Sequence, residues 1–343
     1  MRVAIVNDVM MVVEGLKRIL SSATDHQLAW IAINGEEAVN KCANDLPDLI
    51  LMDLIMPVMN GVEASRKIMA ETPCPILIVT SSVEGNSTMI FEAMGAGALD
   101  VVKTPMLDSS GDILGEVTIL DKIKTIEKLT RPVRPRGRIN VAQRASTSLA
   151  QRNQSLVILG SSTGGPPALA KVLADFPVGF SGSVIIIQHI DEHFACELVE
   201  WLDTQCKMKV KMAEEGEKIS PGIVYLAATN DHLFMSSSGR LTYTENPREM
   251  VYRPSVDVFF ESVAQHWGGK LVAALLTGMG RDGAAGLLAL RQKGVHTIAQ
   301  DEASCAVYGM PKAAVALNAA VEVLPLDEIS AVLLKHYDSV VMN

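Results

Sequence analysis

The sequence predicts two α/β domains, each built on a doubly wound parallel sheet, joined by a polar linker. Three observations predict this. Apolar runs of strand length alternate with stretches whose apolar residues recur at helical spacing, over residues 1–120 and again from residue 155 onward. Several of these runs stop at a polar residue, as strands do where a parallel sheet presents its carboxyl edge. Between the two blocks, residues 130–155 lose apolar periodicity and carry Arg131, Pro132, Arg134, Pro135, Arg136, Gly137 and Arg138, the composition of a linker. A chain of 343 residues, 48% hydrophobic and 20% charged, has enough apolar material for a core in each block.

Composition also excludes. A net charge of -9 argues against general nucleic-acid binding and leaves the basic run of the linker as a solvated segment. The cysteines, Cys42, Cys74, Cys196, Cys206 and Cys305, are odd in number and lack metal-ligand spacing, which fits a reducing compartment. No apolar run reaches membrane-spanning length. The apolar N-terminus carries Asp8 early and has no basic start, unlike a signal peptide. The expectation is a cytoplasmic protein with no nucleic-acid partner and no direct membrane insertion.

In the first block, VAIV ends on Asn7 and Asp8, and a helix follows with Met10, Val13, Leu16 and Leu20 on one face. A second strand spans 28–33 and a helix 36–43. DLILMD closes on Asp53. Helices at 61–70 and 87–94 flank a strand that ends on Thr80, and residues 99–102 end beside Lys103. Asp8, Asp53 and Thr80 therefore fall at the carboxyl ends of three strands. Two carboxylates and a few carbonyls suit a magnesium ion, and one carboxylate can then attack a phosphoryl group. A single strand-end Asp is more often a helix cap. Three such groups together, with PVMNG after Asp53, weaken that reading. The landmarks VNDVM, LMDLIMPVMNG, LIVTSS and GALDVVKTP resemble, in order, those of a response-regulator receiver domain over residues 1–120. The resemblance implies a flavodoxin-like fold and Asp53 as phosphoacceptor, with a histidine kinase as phosphodonor. It also implies Mg held by Asp8, Asp53 and the Ile55 carbonyl, and Thr80 and Lys103 as switch residues. Two positions depart from that pattern. Asn7 stands where an acid is usual, which weakens metal binding. Lys103 precedes Thr104 rather than Pro105, so it reaches the site only if the backbone bulges.

The second block, 155–343, opens with LVILGSSTGGPPAL. An apolar strand stops at Gly160. Ser161, Ser162 and Thr163 occupy a tight turn, and prolines suited to a first helical turn follow. Backbone N–H groups at such a helix start favour a phosphate or a developing oxyanion, and the turn can also raise a serine nucleophile. The same hydroxyls suit an ordinary helix cap. Further strands are expected at 184–187, 223–226 and 271–276, and an antiparallel excursion at 222–225 and 241–243. Helices are expected at 167–174, 194–202, 256–265, 283–293 and 311–318.

Ser162, His189 and Asp282 each follow a different one of these strands, so all three gather at one sheet edge. Serine needs a base, and a histidine oriented by a carboxylate supplies one, in any chain order. The turn after Ser162 and the Gly278–Gly280 turn offer N–H groups to an oxyanion. Spacing alone leaves alternatives open. His193, His232, His266 and His296 compete as the base, and Asp191, Asp231, Asp257 and Asp301 as the acid. Asp282 also reads as a helix cap.

The pieces LGSSTGGPPAL, IIIQHI, SPGIVYLA, RPSVDVFFESVA, LLTGMGRDGAAGLLAL and AQDEASCAVYGMPKAA resemble the catalytic domain of the CheB protein-glutamate methylesterases. The receiver segments look most like the Wsp-type members. The resemblance implies a Rossmann-like domain over 155–343, preceded by a linker over 121–154. It implies Ser162 as nucleophile, His189 as base and Asp282 as orienting acid, with Thr163 and Met279 beside the oxyanion and no cofactor for the esterase step. It implies a phosphorylation-regulated esterase acting on γ-glutamyl methyl esters of a methylated chemoreceptor, and deamidation of glutamines as well. Asp191, where a proline is usual, and residues 227–229, where a Pro-Gly turn is usual, depart from the family. A catalytically silent receiver adaptor is the alternative. A nucleotide-binding oxidoreductase is disfavoured, because GSSTGG is not G-x-G-x-x-G and the next strand ends in His189 rather than an acid.

Overall fold

The computed structural model describes residues 1–23, 25–81, 86–107, 113–130, 154–250 and 252–338. They divide into two units near residue 135.

The first unit runs β1 (Arg2–Val6), α1 (Met10–Ser22), β2 (Gln27–Ala32), α2 (Gly35–Asn44), β3 (Leu49–Met52), α3 (Gly61–Glu71), β4 (Ile76–Thr80), α4 (Ser87–Gly95) and β5 (Asp100–Lys103). A short hairpin, β6 (Met106–Leu107) and β7 (Ile113–Leu114), leads into α5 (Glu116–Thr130). The five main strands are parallel in the order β2-β1-β3-β4-β5. β3 and β4, LILM and ILIVT, are buried throughout, as aliphatic strands covered on both faces must be. Asn34 and Asn60 cap α2 and α3 through their side-chain oxygens. Chain order reverses between β1 and β3, so the residues after those strands, Asp8 and Asp53, open onto the crevice where such sheets bind ligands.

α5 departs from the expected boundary at residue 120. Ile119, Ile123 and Ile126 recur on one face and insert into the core formed by Ile5, Leu16, Ile19, Leu51 and Val79. The charged residues between them, Asp121, Lys122 and Lys124, give the segment its linker-like look, but they lie on the other face. The first unit thus includes this helix. Of the expected 121–154 linker, residues 131–153 lie outside the described residues.

The second unit runs β8 (Ser155–Ser161), α6 (Gly165–Ala174), β9 (Ser183–Gln188), α7 (Ala195–Gln205), β10 (Lys209–Met212), β11 (Glu217–Lys218) and β12 (Ile223–Leu226). It continues with β13 (His232–Met235), β14 (Arg240–Thr244), α8 (Val256–His266), β15 (Lys270–Leu275) and α9 (Ala284–Gln292). It ends with β16 (His296–Gln300), α10 (Met310–Ala316), β17 (Glu322–Leu324) and α11 (Leu326–Asp338). Seven strands form one parallel sheet, β10-β12-β9-β8-β15-β16-β17. Alternate residues Ile158, Ile185, Ala273, Leu275 and Ala299 pack on α8, α9 and α10 through Val256, Phe259, Phe260, Leu287 and Met310. α6, α7 and α11 pack together over the opposite face. Residues 222–225 do not join the antiparallel excursion: as β12 they sit inside the parallel sheet, and β14 pairs instead with β11 and β13. VYL is apolar enough for burial on both faces, which an excursion strand does not require. β10, β16, β17 and α11 add to the expected elements. KVKM buries only Val210, and HTIAQ begins and ends on polar residues, so neither stands out from sequence as a strand.

Candidate functional site

β8 ends at Ser161, and its continuation turns into α6. Ser162 N donates to Thr277 O at 3.0 Å, and His189 N donates to Ser161 O at 3.1 Å. Ser162 is thereby held between the loops that follow β9 and β15, at the point where strand order reverses around β8. The β15 loop can come this close because residue 278 is glycine: a Cβ there would stand 2.8 Å from Ser162 Cβ.

The two serines are differently employed. Ser161 is fully buried and its Oγ donates to Gln188 Oε1 at 2.6 Å. Gln188 Nε2 donates to Ser162 O at 2.9 Å and to His189 O at 3.0 Å. Gln188 therefore clamps the Ser162 turn to the His189 loop, and Ser161 orients Gln188. Ser162 enters this clamp only through its carbonyl, and its hydroxyl is left out of it.

His189 Nε2 lies 2.7 Å from Asp282 Oδ2, and both side chains are more than nine-tenths buried. A carboxylate only accepts, so Nε2 carries the proton and Nδ1 the lone pair. Nδ1 is buried and has no hydrogen-bond partner among the described residues. A basic nitrogen with its opposite N–H fixed by an acid is the arrangement a serine needs. The nitrogens are exchanged relative to the usual serine-protease template, in which Nδ1 faces the acid. Tyr252 stacks on the imidazole at 3.7 Å between ring centres and 14° between planes, which holds the ring's orientation.

Asp282 also caps a helix, though not the one that follows it. Its oxygens accept from Ser255 Oγ (2.8 Å), Val256 N (2.7 Å) and Asp257 N (3.1 Å), the start of α8. Asp257 in turn accepts Gly286 N at 2.7 Å, in the first turn of α9. Each helix is capped by the acid at the head of the other. Burial alone would raise the Asp282 carboxyl. The hydrogen bond and charge of His189, with the Asp257 N–H and the Ser255 hydroxyl, outweigh burial and hold it below the ordinary value. Asp257 is pushed well above the carboxylate range by burial and by the charge of Asp282. The two carboxyls shift in opposite directions, and Asp282 is the one with His189 as its partner.

The competing residues are engaged elsewhere. His232 is fully buried, with Nε2 on Pro247 O and Nδ1 accepting Ser255 N. His193 is exposed and pairs with Asp191, which also caps the short 3₁₀ turn Glu192–Phe194. His266 packs edge-on to Phe234. Asp301 binds Ser304. The departing segments meet at the rim, where Glu192 N donates to Asn230 Oδ1 at 3.2 Å. The turns use the N–H groups of Ser162, Gly165 and Gly278 internally. Those of Thr163 and Met279, flanking Ser162, have no acceptor among the described residues. Gln188, Tyr252 and Ser255 were not legible as site residues. A polar Gln at the end of a buried aliphatic strand, and a Ser before the apolar face of α8, are the signals for two of them; Tyr252 has none.

In the first unit, Asp53 follows β3. Its Oδ1 accepts Leu54 N at 2.7 Å and its Oδ2 accepts Asn7 Nδ2 at 2.9 Å. Asn7 accepts Val9 N through its own oxygen, so an acid at this position would lose the donor that steadies Asp53. Gly61 brings the start of α3 against the Asp53 carbonyl, where a Cβ would collide. Thr80 is 1% exposed at the end of β4. Lys103 is paired in register with Thr80, with Thr104 N donating to Thr80 O at 2.9 Å. The structure therefore brings Lys103 to the same sheet edge without a bulge, but it draws no hydrogen bond from it to Asp53; its side chain is exposed.

Burial and the charge of Asp8 push the Asp53 carboxyl up to about 6, against the N–H groups of Leu54 and Ile55 and the Asn7 amide. A raised acid favours the folded state most below the unfolded value, and that contribution is lost as pH rises through about 6. In metal-free protein the Asp53 carboxyl carbon should titrate by NMR with a midpoint near 6, and Asn7→Asp should raise it by removing a donor and adding charge. A midpoint in the ordinary carboxylate range would contradict the burial argument.

The family profile described as CheB methylesterase matches residues 157–333, and that of the response regulator receiver domain matches residues 3–111. The chain is 50% identical over 338 residues to a protein of Pseudomonas aeruginosa named protein-glutamate methylesterase/protein-glutamine glutaminase 3, covering 98% of this chain and 100% of that one. It is 51% identical to a Cupriavidus metallidurans protein of the same description, numbered 2, with 96% of each chain covered. The crystal structure of the Thermotoga maritima CheB methylesterase catalytic domain superposes with a TM-score of 0.51 at 33% identity, over 53% of this chain and 98% of that domain. Identity at this level over nearly the whole length, on an unbroken receiver and a second sheet carrying Ser162, His189 and Asp282 at adjacent loops, means that this chain belongs to the CheB methylesterase family in its receiver-bearing form.

Proposed function

We propose that the second unit hydrolyses γ-glutamyl methyl esters on methylated chemoreceptors, and the side-chain amides of glutamines at such positions, under control of phosphorylation at Asp53. The observation that carries the catalytic reading is the His189–Asp282 pair, its other imidazole nitrogen buried and without a hydrogen-bond partner among the described residues, one loop from Ser162. Ser162 Oγ attacks the ester carbonyl while His189 Nδ1 takes its proton. The N–H groups of Thr163 and Met279 receive the oxyanion. His189 returns the proton to departing methanol, or to ammonia from an amide, and then draws a proton from the water that releases glutamate from Ser162. Asp282 keeps the proton on Nε2 and stabilises the imidazolium.

The receiver's donor set fits a magnesium ion: Asp53 is raised partly by the charge of Asp8, a repulsion that a hard divalent cation would relieve. The carboxylates of Asp8 and Asp53 and the Ile55 carbonyl would hold it. When bound it supplies charge neutralisation for the incoming phosphoryl group. Asp53 Oδ attacks the phosphorus of a histidine kinase's phosphohistidine, the P–N bond breaks and the imidazole leaves, and Thr80 and Lys103, at the same sheet edge, read the product. Among the described residues no helix is long and apolar enough to cross a membrane, and we place the protein in the cytoplasm, where its receptor substrate and kinase meet it.

Methanol release from methylated receptor membranes tests this. The full chain should release methanol faster with a small-molecule phosphodonor, Asp53→Ala should lose the increment, and a fragment beginning at Ser155 should not need it. A full chain that neither releases methanol nor reacts with a fluorophosphonate at Ser162 would instead be a silent adaptor.

A further inference from the structure

The opposite end of the second sheet carries a cluster that the hydrolytic chemistry does not use. His296 opens β16, Glu322 opens β17 and His336 stands in the last turn of α11. His296 Nε2 lies 2.9 Å from Glu322 Oε1, and His336 Nε2 lies 4.0 Å from the same oxygen. The two imidazoles stack at 3.6 Å with 19° between planes. One donor atom from each residue falls within 4.8 Å of the others.

We propose that His296, Glu322 and His336 form a binding site for a divalent transition metal of the zinc class. The relation between His296 and Glu322 argues for it. His296 Nε2 is buried and meets Glu322 Oε1 at 2.9 Å, so an imidazole nitrogen and a carboxylate oxygen already stand side by side at the starts of β16 and β17. Two donors that share a tetrahedral zinc stand about 3.3 Å apart, so only a small opening of this pair would admit an ion bound to both. The stacked rings bring a second imidazole nitrogen to the same oxygen, and a small rotation of the partly exposed His336 side chain closes the set. Two imidazoles and one carboxylate select zinc, cobalt or nickel over magnesium or calcium, which take oxygen donors. Three protein ligands leave a fourth position for water.

The ligands come from β16, β17 and α11, so a bound ion would staple α11 to the sheet edge. α11 is also fixed to α6 through Ser330 Oγ, which donates to Asp175 Oδ2 at 2.6 Å, and through the Lys171–Asp327 ion pair. The role that follows is structural reinforcement of the catalytic unit. It does not depend on the reaction assigned to Ser162.

The test uses the full chain dialysed against zinc with magnesium in excess, which occupies the receiver site. A single equivalent of zinc should be retained, and cobalt in its place should give the visible absorption of a four-coordinate site. At zinc a hundred times its dissociation constant, thermal unfolding of the second unit should shift up by about 5–10 °C. His336→Ala, a partly exposed position, and His296→Gln should each lose both the ion and the shift, while Cys196→Ser keeps them. Failure to retain zinc, equal retention by His336→Ala, or loss with Cys196→Ser would each overturn the assignment.

Discussion

Ser162→Ala should lose methyl-ester hydrolysis by about 10⁶-fold in kcat, as removal of a triad nucleophile does, while Ser161→Ala keeps most of its activity. The neighbouring hydroxyls differ in what they touch. Ser161 Oγ is fully buried and spends its proton on Gln188 Oε1 at 2.6 Å. Its removal leaves that oxygen unsatisfied at a cost of about 1–3 kcal/mol of stability, and reaches catalysis only by loosening the clamp from Gln188 to the Ser162 and His189 carbonyls. Ser162 gives the clamp only its carbonyl, and its hydroxyl is not part of it. Methanol release, a melting curve and fluorophosphonate labelling on both variants separate the two effects. The expected pattern is a stable, unlabelled Ser162→Ala and a less stable, labelled Ser161→Ala. The reverse pattern would place the nucleophile one residue earlier.

Strand identity and the gathering of Ser162, His189 and Asp282 were legible because each follows an aliphatic run that can only be a buried strand. Parallel sheets put the ends of such strands on one edge. What was not legible depends on contacts between segments distant in sequence. Asp282 reads as a cap for the helix beside it. In the structure it caps α8, 25 residues away from it at Asp257, and Asp257 returns the cap to α9. No local pattern encodes that exchange. α5 was divided because charge on its exposed face hid three isoleucines on the other. The Lys103 offset leaves its mark: the strand register pairs Lys103 with Thr80 and puts Thr104 after β5, but the Lys103 side chain is exposed and makes no hydrogen bond to Asp53.

Asp282→Asn should cut kcat by about 10³–10⁴-fold and also lower the melting temperature, and the two effects have different origins. The carboxylate accepts four bonds, from His189 Nε2, Ser255 Oγ, Val256 N and Asp257 N. An amide has one acceptor oxygen. If its NH₂ faces His189, the imidazole must turn its lone pair to Nε2 and place its proton on Nδ1, which removes the base from Ser162. In that orientation the Val256 N–H, which shares Oδ2 with His189, loses its acceptor too; with the NH₂ at the Oδ1 position instead, the Asp257 N–H loses its acceptor, and either loss costs about 1–3 kcal/mol. In both orientations α8 loses a negative charge at its N-terminus. Ser255→Ala supplies the control. It removes the hydroxyl shared by Asp282 and the α8 cap but leaves the His189–Asp282 pair in place, so it should lower stability while keeping kcat within about tenfold. An Asp282→Asn variant that loses no more activity than Ser255→Ala would make Asp282 a cap alone. A loss larger by two or more orders of magnitude, at comparable melting temperature, would make it the residue that sets the His189 tautomer.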